Sequence, residues 1–486
     1  MDAARILFQS TCYIVLFAVC IVVFAKVSSK SIRQGALLVV SIALYLTWVP
    51  WFAAVLLASI VINFLFGKWL RRNPHWLPLT AGIIFNLALL SVFKYLPELA
   101  TRVQTLHPFL ALALPLGISF WTFQAMSYLF DLYRGEELDP TFVEFALYMA
   151  FFPVTISGPV CRLPEMLPQF RSEEKTRSDM MAHGFRRIAI GVFMMQLAKM
   201  LGQGILAGDG IAGGFDRVKQ WSGPDVWLLA FGYGLQLFLD FAGYSHIAIG
   251  AARMLGFTIP ENFARPFHST SPSVFWTRWH MSLSFWIRDY VFLFLIVLRR
   301  DVIWRNSVLI LSMVIFGLWH RASMLFLIWG VYHGVLLVVH RRIEAWQRLL
   351  NWTPPPFWEP LSLVATISSI SLGWIWFRAN SLAQARTMFS ALLSPATYGS
   401  RNLSGSLYGL VLVLAVGYVA AILTIDALKR YEDESGTGGP QSHFVGTLAR
   451  SRWYWLPPLY VLALLFVILV TVTQSSSAAQ FMYRGF

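Results

Sequence analysis

Cysteine and charge are both scarce in this sequence, and each scarcity excludes a class of protein. The chain has 486 residues, three cysteines and no Cys-x-x-Cys pair. Neither a structural zinc site nor a disulfide framework is therefore indicated. Charged residues make up 13% of the chain, roughly half their share in a typical soluble domain. Because no long polar stretch is present, we do not expect a separate soluble domain.

Apolar residues dominate the composition instead. They account for 57% of the chain, and the mean hydropathy is +0.61. A membrane-spanning helix needs about 20 apolar residues, and the sequence predicts an all-α polytopic membrane protein with about eleven transmembrane helices plus re-entrant and interfacial helices. We expect one membrane-embedded domain, residues 1–486, with its core motif region at about 226–345.

The basic residues are placed as in a membrane protein. The net charge of +14 would suggest nucleic-acid binding in a soluble protein. Here lysine and arginine flank the apolar runs, as the positive-inside rule predicts for cytoplasmic loops. We therefore expect contact with a lipid bilayer and no nucleic-acid partner. No small-residue cleavage site follows the first apolar run, 6–25, so we interpret it as a retained span.

The apolar runs differ in how proline interrupts them. Pro50 divides the run 36–66, so we expect two helices there. The run 142–159 contains two prolines, which predicts a re-entrant segment whose backbone is covered by protein. The remaining predicted spans are 6–25, 77–93, 109–130 (broken by Pro115-Leu116-Gly117), 188–207, 226–251, 308–320, 324–340, 361–377, 407–425 and 455–472.

Three polar segments are predicted outside these spans. The segment 162–187 carries six basic residues, which place it on the cytoplasmic side, whereas simple alternation of spans would place it outside. The stretch 269–300 begins polar and aromatic, which suits a helix in the membrane interface. The segment 430–450 is rich in glycine, serine and glutamate and predicts a mobile loop.

The most unusual stretch lies between Phe275 and Gly334. Its first part combines tryptophan, arginine, histidine and serine, and Gly317-Leu318-Trp319-His320 follows inside an apolar run. Ionisable side chains at membrane depth usually face a cavity, a path or a reacting group. From this chemistry alone, a structural histidine held between helices is the alternative to a catalytic one.

These residues resemble the motifs of the membrane-bound O-acyltransferase family. The nearest branch is similar to alginate O-acetyltransferases, with features of the D-alanyl lipoteichoic acid transfer protein. The resemblance covers nearly the whole chain and implies helices around a central funnel or tunnel. Its motifs are Phe152-Pro153, Ser157-Gly158-Pro159-Val160-Cys161-Arg162, Asp240-Phe241-Ala242-Gly243-Tyr244-Ser245, Pro260-Glu261-Asn262-Phe263, Trp276 to Tyr290, Gly317-Leu318-Trp319-His320, Phe377-Arg378-Ala379 and Phe481-Met482-Tyr483.

The resemblance implies that two histidines carry the reaction. His320, in the Gly-x-Trp-His motif, is expected to be catalytic and to act as the base for a hydroxyl proton. His280, in an Arg-Trp-His pattern, is expected to orient the acceptor, donate to the oxyanion or brace His320; a structural bridge between helices is its alternative. The residues predicted to bind substrate are Trp279, Arg278, Ser282, Arg288, Asp289, Trp319, Asp240 and Gln236.

Several of these residues admit two interpretations. Arg288 and Asp289 either form a structural ion pair or meet the phosphates of a coenzyme or of a carrier's phosphopantetheine. Gln236 and Asp240 lie four residues apart, so they share a helical face that we expect to turn inward. His333 follows His320 by thirteen residues. On a continuous helix it would point elsewhere, so we interpret His333 as structural.

The sequence also departs from the acetyltransferase branch. Arg321 follows the histidine where the family usually has a small residue, which would narrow the tunnel or add a cation for an anionic substrate. After Tyr290 the sequence Val-Phe-Leu-Phe stands where that branch often has Pro-Leu-Gly-Gly, and this feature resembles the D-alanyl branch. His246 stands where the acetyltransferases more often have aspartate.

We therefore expect an O-acyltransferase. It would transfer an acetyl or other small acyl group from a cytoplasmic thioester, acyl-CoA or an acyl carrier protein, to an extracytoplasmic cell-envelope polysaccharide. No bound cofactor or metal is expected. The resemblance implies an extracytoplasmic hydrolase-like partner and a location in the bacterial plasma (inner) membrane. The alternatives are D-alanyl transfer to a teichoic-acid-like acceptor, a proton-relaying transporter, and a non-enzymatic subunit of an export complex.

Overall fold

The regular elements of the protein are helices. The computed structural model describes residues 3–48, 50–97, 114–205, 209–217 and 220–437. Within these ranges there is no strand, only an isolated antiparallel bridge between Phe263 and Trp279. The all-α prediction is therefore confirmed for the part of the chain that is described.

The helices follow one another with short connections. In chain order they are α1 Ala3–Lys26, α2 Lys30–Leu46, α3 Pro50–Arg72, α4 Trp76–Lys94, α5 Ile118–Tyr133, α6 Phe142–Ala150, α7 Leu163–Arg171, α8 Ser178–Gln203, α9 Ile211–Arg217, α10 Gly223–Met254, α11 Pro272–Arg278, α12 Met281–Ile287, α13 Leu293–Ile296, α14 Val302–His320, α15 Met324–Leu349, α16 Trp358–Arg378, α17 Leu382–Leu393 and α18 Gly405–Thr437. A π-helical turn, Arg288–Phe292, joins α12 to α13.

Seven of the described helices are long and apolar enough to cross a membrane. They are α3, α4, α10, α14, α15, α16 and, over Gly405–Ala427, α18. The protein is thus a multi-pass membrane protein, as the composition predicts. The count of about eleven spans stays a prediction, since the predicted span 455–472 lies outside the described residues.

Two helix starts agree with the predicted positions of proline and glycine, although residues 109–113 of the predicted span 109–130 lie outside the described residues. Pro50 is the first residue of α3, a position that proline favours because the first amide of a helix has no partner. Gly117 precedes α5 with a φ of 72°. A Cβ at this glycine would collide with the carbonyl oxygen of Thr155. Both the left-handed backbone and the close approach therefore require glycine there.

The run 142–159 contains α6, a helix of nine residues. Its length is about 14 Å, about half the thickness of a bilayer core of about 30 Å. Thr141 and Glu144 form a capping box at its N-terminus. The turns after it are buried from Phe151 to Thr155. This backbone is covered by protein, as a re-entrant segment requires.

Two of the predicted polar segments are partly helical. The segment 162–187 contains α7 and the first turns of α8, and α18 continues to Thr437, so the mobile loop predicted at 430–450 begins as helix. Residues 438–450 lie outside the described residues. A polar segment can be helical because a helix continues wherever its backbone bonds are satisfied, and the mobile loop at 430–450 stays a prediction.

The chain divides into two compact units. The first comprises Met1–Gly191, Tyr244–Ser323 and Gly330–Leu363, and the second comprises Val192–Gly243, Met324–Trp329 and Val364–Phe486. In the second, Asp225 accepts hydrogen bonds from the Tyr408 hydroxyl (2.7 Å) and the Asn402 amide (2.8 Å). The prediction of a single domain, 1–486, stays a prediction.

Ion pairs and a hydrogen bond connect the basic N-terminus of α2 with residues of α6 and with the end of α7. Lys30 and Arg171 both pair with the buried Glu144, at 3.4 and 3.0 Å. Arg33 donates to the carbonyl of Ser172 at 3.4 Å. The segment that begins at Arg162 therefore lies beside the N-terminus of α2. This agrees with the charges, which group the segment with the start of α2; its cytoplasmic location stays a prediction.

Helix α5 runs through the interior of the first unit. Almost all of its side chains are buried, including the polar Ser119, Thr122 and Gln124. Gln124 donates to the carbonyl of Tyr148 at 3.3 Å. The polar and aromatic stretch 119–124 is therefore buried in the first unit, and Phe123 within it contacts Trp319 of the candidate site.

Candidate active site

His320 is the last residue of α14. Asp301 begins this helix by accepting a hydrogen bond from the Trp304 amide at 2.7 Å. The helix ends because Arg321 is extended, with φ −156° and ψ 136°. His320 is buried, whereas Arg321 is exposed. The helix end thus holds an imidazole inside the protein while the chain turns outward.

His280 occupies the break between α11 and α12 in a left-handed conformation, with φ 44° and ψ 50°. Few residues other than glycine adopt this conformation, although histidine is among those that do more often. Two backbone hydrogen bonds hold the break: the Ala264 amide donates to Arg278 (3.0 Å) and the Met281 amide donates to Asn262 (2.9 Å). The surrounding segment therefore imposes the strained backbone, a feature that clusters at functional sites.

The two histidines meet at one phenyl ring. The Phe316 ring, one turn before the end of α14, stacks on His320 with 5.5 Å between centroids and 17° between planes. The His280 ring lies 6.3 Å from the same Phe316 ring. Burial lowers the pKa of His280 to about 3, so this imidazole is neutral at physiological pH and presents one donor and one acceptor nitrogen.

Aromatic side chains enclose this pair. The Trp319 ring packs 4.6 Å from His320 and 5.3 Å from Phe123 of α5. Trp286 of α12 donates its indole N–H to the Phe123 carbonyl at 3.1 Å. The Lys94 ammonium, at the end of α4, lies 4.7 Å from the centre of the Trp319 ring. A reaction at His320 would therefore take place among apolar walls, with the Lys94 ammonium nearby.

His333 lies in the same aromatic cluster. The chain breaks between α14 and α15, as the separate predicted spans 308–320 and 324–340 imply, so the directions of His320 and His333 on one continuous helix do not apply. His333 is fully buried, and its ring contacts Trp276 edge-on at 5.3 Å. Trp276 in turn packs 5.4 Å from Phe316. The Trp276 indole thus lies between His333 and the Phe316 ring. The structural interpretation of His333 stays a prediction.

Sequence reasoning missed Asn262, which connects the segments around His280. Its amide donates to Ser245 of α10 at 3.0 Å, and its carbonyl side-chain oxygen accepts from Ser282 at 2.6 Å. The Ser282 hydroxyl also accepts from the Val160 amide at 2.9 Å. The signal for Asn262 was present in the motif Pro260-Glu261-Asn262-Phe263. Ser282 forms internal bonds in the described structure, and substrate contact for it stays a prediction.

The two residues before His280 are also held within the protein. Trp279 is buried and stacks on Phe275 with 5.4 Å between centroids and 19° between planes. Arg278 donates to the carbonyl of His268 at 2.6 Å. These contacts fix the entry into the break at His280. Substrate binding by Trp279 and Arg278 stays a prediction.

Gln236 and Asp240 belong to the second compact unit. Both are buried, as the inward-facing stripe on α10 predicts. Gln236 lies against Gly202, where an added Cβ would collide with its amide nitrogen. The substrate-binding role predicted for both residues stays a prediction.

Arg288 and Asp289 form the predicted ion pair, with 2.6 Å between Nε and Oδ1. Arg162 also reaches the Asp289 carboxylate, at 2.7 Å. Burial opposes the charge of Asp289, but the hydrogen bonds from Arg288 and Arg162 hold its pKa below its usual range. Across the described ranges, no three His, Cys, Asp or Glu side chains are grouped to hold a metal ion.

Comparison with known proteins identifies the family. The model of the membrane-bound O-acyltransferase family matches residues 72–382, a range that includes both histidines of the candidate site. The chain belongs to the membrane-bound O-acyltransferase family. It is therefore an acyltransferase, and the histidine-bearing motifs lie inside the part that defines the family.

Several curated proteins are similar over most of the chain. A probable alginate O-acetylase of Pseudomonas aeruginosa is 34% identical, covering 84% of this chain and 79% of its own length. One of Azotobacter vinelandii is 31% identical over 99% of this chain and 100% of its own length. A teichoic acid D-alanyltransferase of Streptococcus thermophilus is 32% identical over 53% of this chain and 64% of its own length. The predicted resemblance to both branches is confirmed, and neither non-enzymatic alternative is favoured.

Proposed function

We propose that this O-acyltransferase transfers an acetyl or other small acyl group from a cytoplasmic thioester to a hydroxyl of an extracytoplasmic cell-envelope polysaccharide. The acetyl group and the glycan acceptor are supported by the two relatives named as alginate O-acetylases, which align over 84% and 99% of this chain. D-alanyl transfer is less well supported, because that relative aligns over 53% of the chain. The membrane would be the bacterial inner membrane.

The arrangement of His320 and His280 carries this proposal. Both imidazoles pack against the Phe316 ring, and each histidine stands at a different break between helices. In the proposed reaction His320 takes the proton of the acceptor hydroxyl as its oxygen attacks the thioester carbonyl carbon. The C–S bond then breaks, and the proton passes from His320 to the departing thiolate. His280 would donate a hydrogen bond to the oxyanion that forms in between.

The proposed donor and partners follow from this reaction. The donor would be acyl-CoA or an acylated carrier protein, since either presents a thioester whose thiolate leaves readily. The direct acceptor would be either the polysaccharide or an extracytoplasmic hydrolase-like protein that passes the acyl group on. In both cases the reacting group is a hydroxyl, so the roles of His320 and His280 are unchanged.

The experiment measures the acyl content of the envelope polysaccharide in cells that carry His320→Ala as the only copy of the gene. The matched control is His75→Gln, which changes an exposed histidine at the N-cap of α4. We expect acylation to disappear in the first variant and to persist in the control, at equal protein abundance in the membrane. Normal acylation with His320→Ala would contradict the proposal.

A further inference from the structure

A buried arginine lies beside a small cavity at the start of α2. Arg33 is 6% exposed, and it lines the cavity together with Lys30, Gln34 and Ser172. The enclosed space of about 10 Å³ holds one atom the size of a water oxygen. The Lys30 side chain is 36% exposed, so the cavity opens towards the surface on that side. A larger group therefore has room to insert a single oxygen atom beside Arg33.

The Arg33 guanidinium group is held in place, but its hydrogen bonds are incomplete. Its Nη1 donates to the Ser172 carbonyl at 3.4 Å, and its central carbon lies 4.4 Å from the centre of the Phe24 ring. Its Nε is buried and has no hydrogen-bond partner among the described residues. A guanidinium group carries five N–H donors, and a buried donor without an acceptor is unfavourable. An acceptor in the cavity would relieve this deficit.

No carboxylate pairs with Arg33 in the part of the chain that the structure describes. Glu144 binds Lys30 at 3.4 Å and Arg171 at 3.0 Å, so two other cations already share this carboxylate. The glutamates at 173–174 follow Ser172 in the sequence, but they are exposed and form no ion pair with Arg33. A buried charge without a counter-ion is unfavourable, and an anionic ligand in the cavity would supply one.

The N-terminus of α2 adds to the attraction for an anion. The helix has 17 residues, and the Ser29 side chain that precedes it makes no capping hydrogen bond. The first amides of a helix point outward and its dipole is positive at this end, a combination that suits phosphate groups. Lys30 and Arg33 are three residues apart on one helix face, and both line the cavity. A ligand in the cavity would therefore lie at this helix end.

The position of the cavity favours a lipid as the source of the anionic group. Phe24 of α1 and Lys30 of α2 both line it, so it lies where these two apolar helices meet. Both helix ends are basic and are predicted to be cytoplasmic, and basic residues next to a membrane attract the anionic lipids of that leaflet. Ile32 and Val39 lie on one face of α2 and are 57% and 68% exposed. They provide an apolar surface for acyl chains.

We propose that this cavity binds the phosphate of an anionic phospholipid. One phosphate oxygen would enter the cavity and accept hydrogen bonds from the Arg33 guanidinium group, while Lys30 contacts the phosphate from the open side. The acyl chains would pass along α2 over Ile32 and Val39. The bound lipid would hold the start of α2 against the segment that ends at Ser172. This inference goes beyond the proposed function and does not depend on it.

The test measures lipid binding to the full chain by native mass spectrometry, after purification in a neutral detergent. Phosphatidylglycerol is compared with diacylglycerol, which lacks the phosphate, and with phosphatidylcholine, whose headgroup cation opposes the basic side chains. We expect one phosphatidylglycerol molecule per chain to bind about tenfold tighter than either comparison lipid, as charge-assisted hydrogen bonds do.

Three variants test the side chains of the cavity. Arg33→Gln should lose most of the preference for phosphatidylglycerol, and Arg33→Lys should keep part of it because the charge remains. Lys30→Gln changes a partly exposed side chain and should weaken the preference about threefold. If Arg33→Gln does not fold, the other two variants decide. The matched control is Arg177→Gln, since the Arg177 side chain is 66% exposed and pairs with Asp179; it should bind like the unchanged protein.

Two results would overturn the inference. One is equal binding of the three lipids by the unchanged protein, and the other is an unchanged preference for phosphatidylglycerol in the folded variants at positions 33 and 30. Inorganic phosphate tests the other source of the anion. If millimolar inorganic phosphate displaces phosphatidylglycerol and raises the unfolding temperature of the unchanged protein but not of the Arg33 variants, the ligand is free phosphate and the lipid site is wrong.

Discussion

A substitution at Ser282 tests whether this residue stabilises the structure or contacts substrate. Its hydroxyl donates to Asn262 at 2.6 Å and accepts from the Val160 amide at 2.9 Å. Ser282→Ala would leave both buried partners without this bond. An unsatisfied buried polar group costs about 1–3 kcal/mol, so we expect a loss of about 3 kcal/mol in stability.

The assay follows thermal unfolding in detergent micelles, together with acyl transfer normalised to folded protein. Ser284→Ala is the matched control, because the Ser284 hydroxyl makes one hydrogen bond, to the Trp279 carbonyl at 2.9 Å. The control should lose about 1 kcal/mol. We expect Ser282→Ala to unfold at a clearly lower temperature than Ser284→Ala, with transfer per folded molecule largely retained.

The reasoning would be refuted by the reverse pattern. If Ser282→Ala unfolds at the temperature of the unchanged protein while transfer per folded molecule falls, Ser282 contacts substrate and the brace is unimportant. The initial prediction of a substrate-binding serine would then be correct.

Three further predictions concern the backbone and the charges around the site. His280→Asn should stay folded, because asparagine tolerates the left-handed conformation, but its acyl transfer per folded molecule should fall at least tenfold if His280 acts in the reaction. His280→Val should reduce the yield of folded protein. Equal yields of the two variants would contradict this expectation. Gly117→Ala should lower the unfolding temperature, because the added Cβ would collide with the Thr155 carbonyl oxygen and such overpacking costs about 1–3 kcal/mol. An unchanged unfolding temperature would count against a close contact between residue 117 and Thr155. The hydrogen bond from Arg171 lowers the pKa of Glu144 from 4.5 to about 2, so Glu144→Gln should cost about 3 kcal/mol at pH 7. Because the folded pKa is depressed, this difference in unfolding free energy should shrink as the pH falls from 4.5 towards 2, and a difference independent of pH would refute the ion-pair explanation.

The helices could be predicted where an apolar run is bounded by a proline or glycine that favours a helix start. Pro50 and Gly117 mark helix starts because their backbones are restricted in known ways, and the apolar run 77–93 corresponds to α4. The ends of α8 and α18 could not be predicted, since these helices continue into polar sequence. The proximity of the segment after Arg162 to the start of α2 agrees with the charge pattern, since Arg33 contacts Ser172 and Lys30 and Arg171 share Glu144.

The residues of the candidate site could be predicted from the sequence, but their spatial arrangement could not. His320 and His280 were found from their motifs, but their common contact with Phe316 depends on two chain breaks. The left-handed backbone of His280 arises from hydrogen bonds to residues 262 and 264, which are distant in sequence. The break after His320 was predicted by the separate runs 308–320 and 324–340, but the contact between His333 and Trp276 depends on how distant segments pack. Such long-range effects leave little local signal.

The central claim is that His320 is the base for acyl transfer. The most direct measurement uses inside-out membrane vesicles, a radiolabelled acetyl thioester added outside, and label recovered in the enclosed glycan. His320→Gln should lower the rate by about 10²–10⁴-fold while the protein keeps its unfolding temperature. Transfer by His320→Gln at the rate of the unchanged protein would contradict the claim and place the base elsewhere.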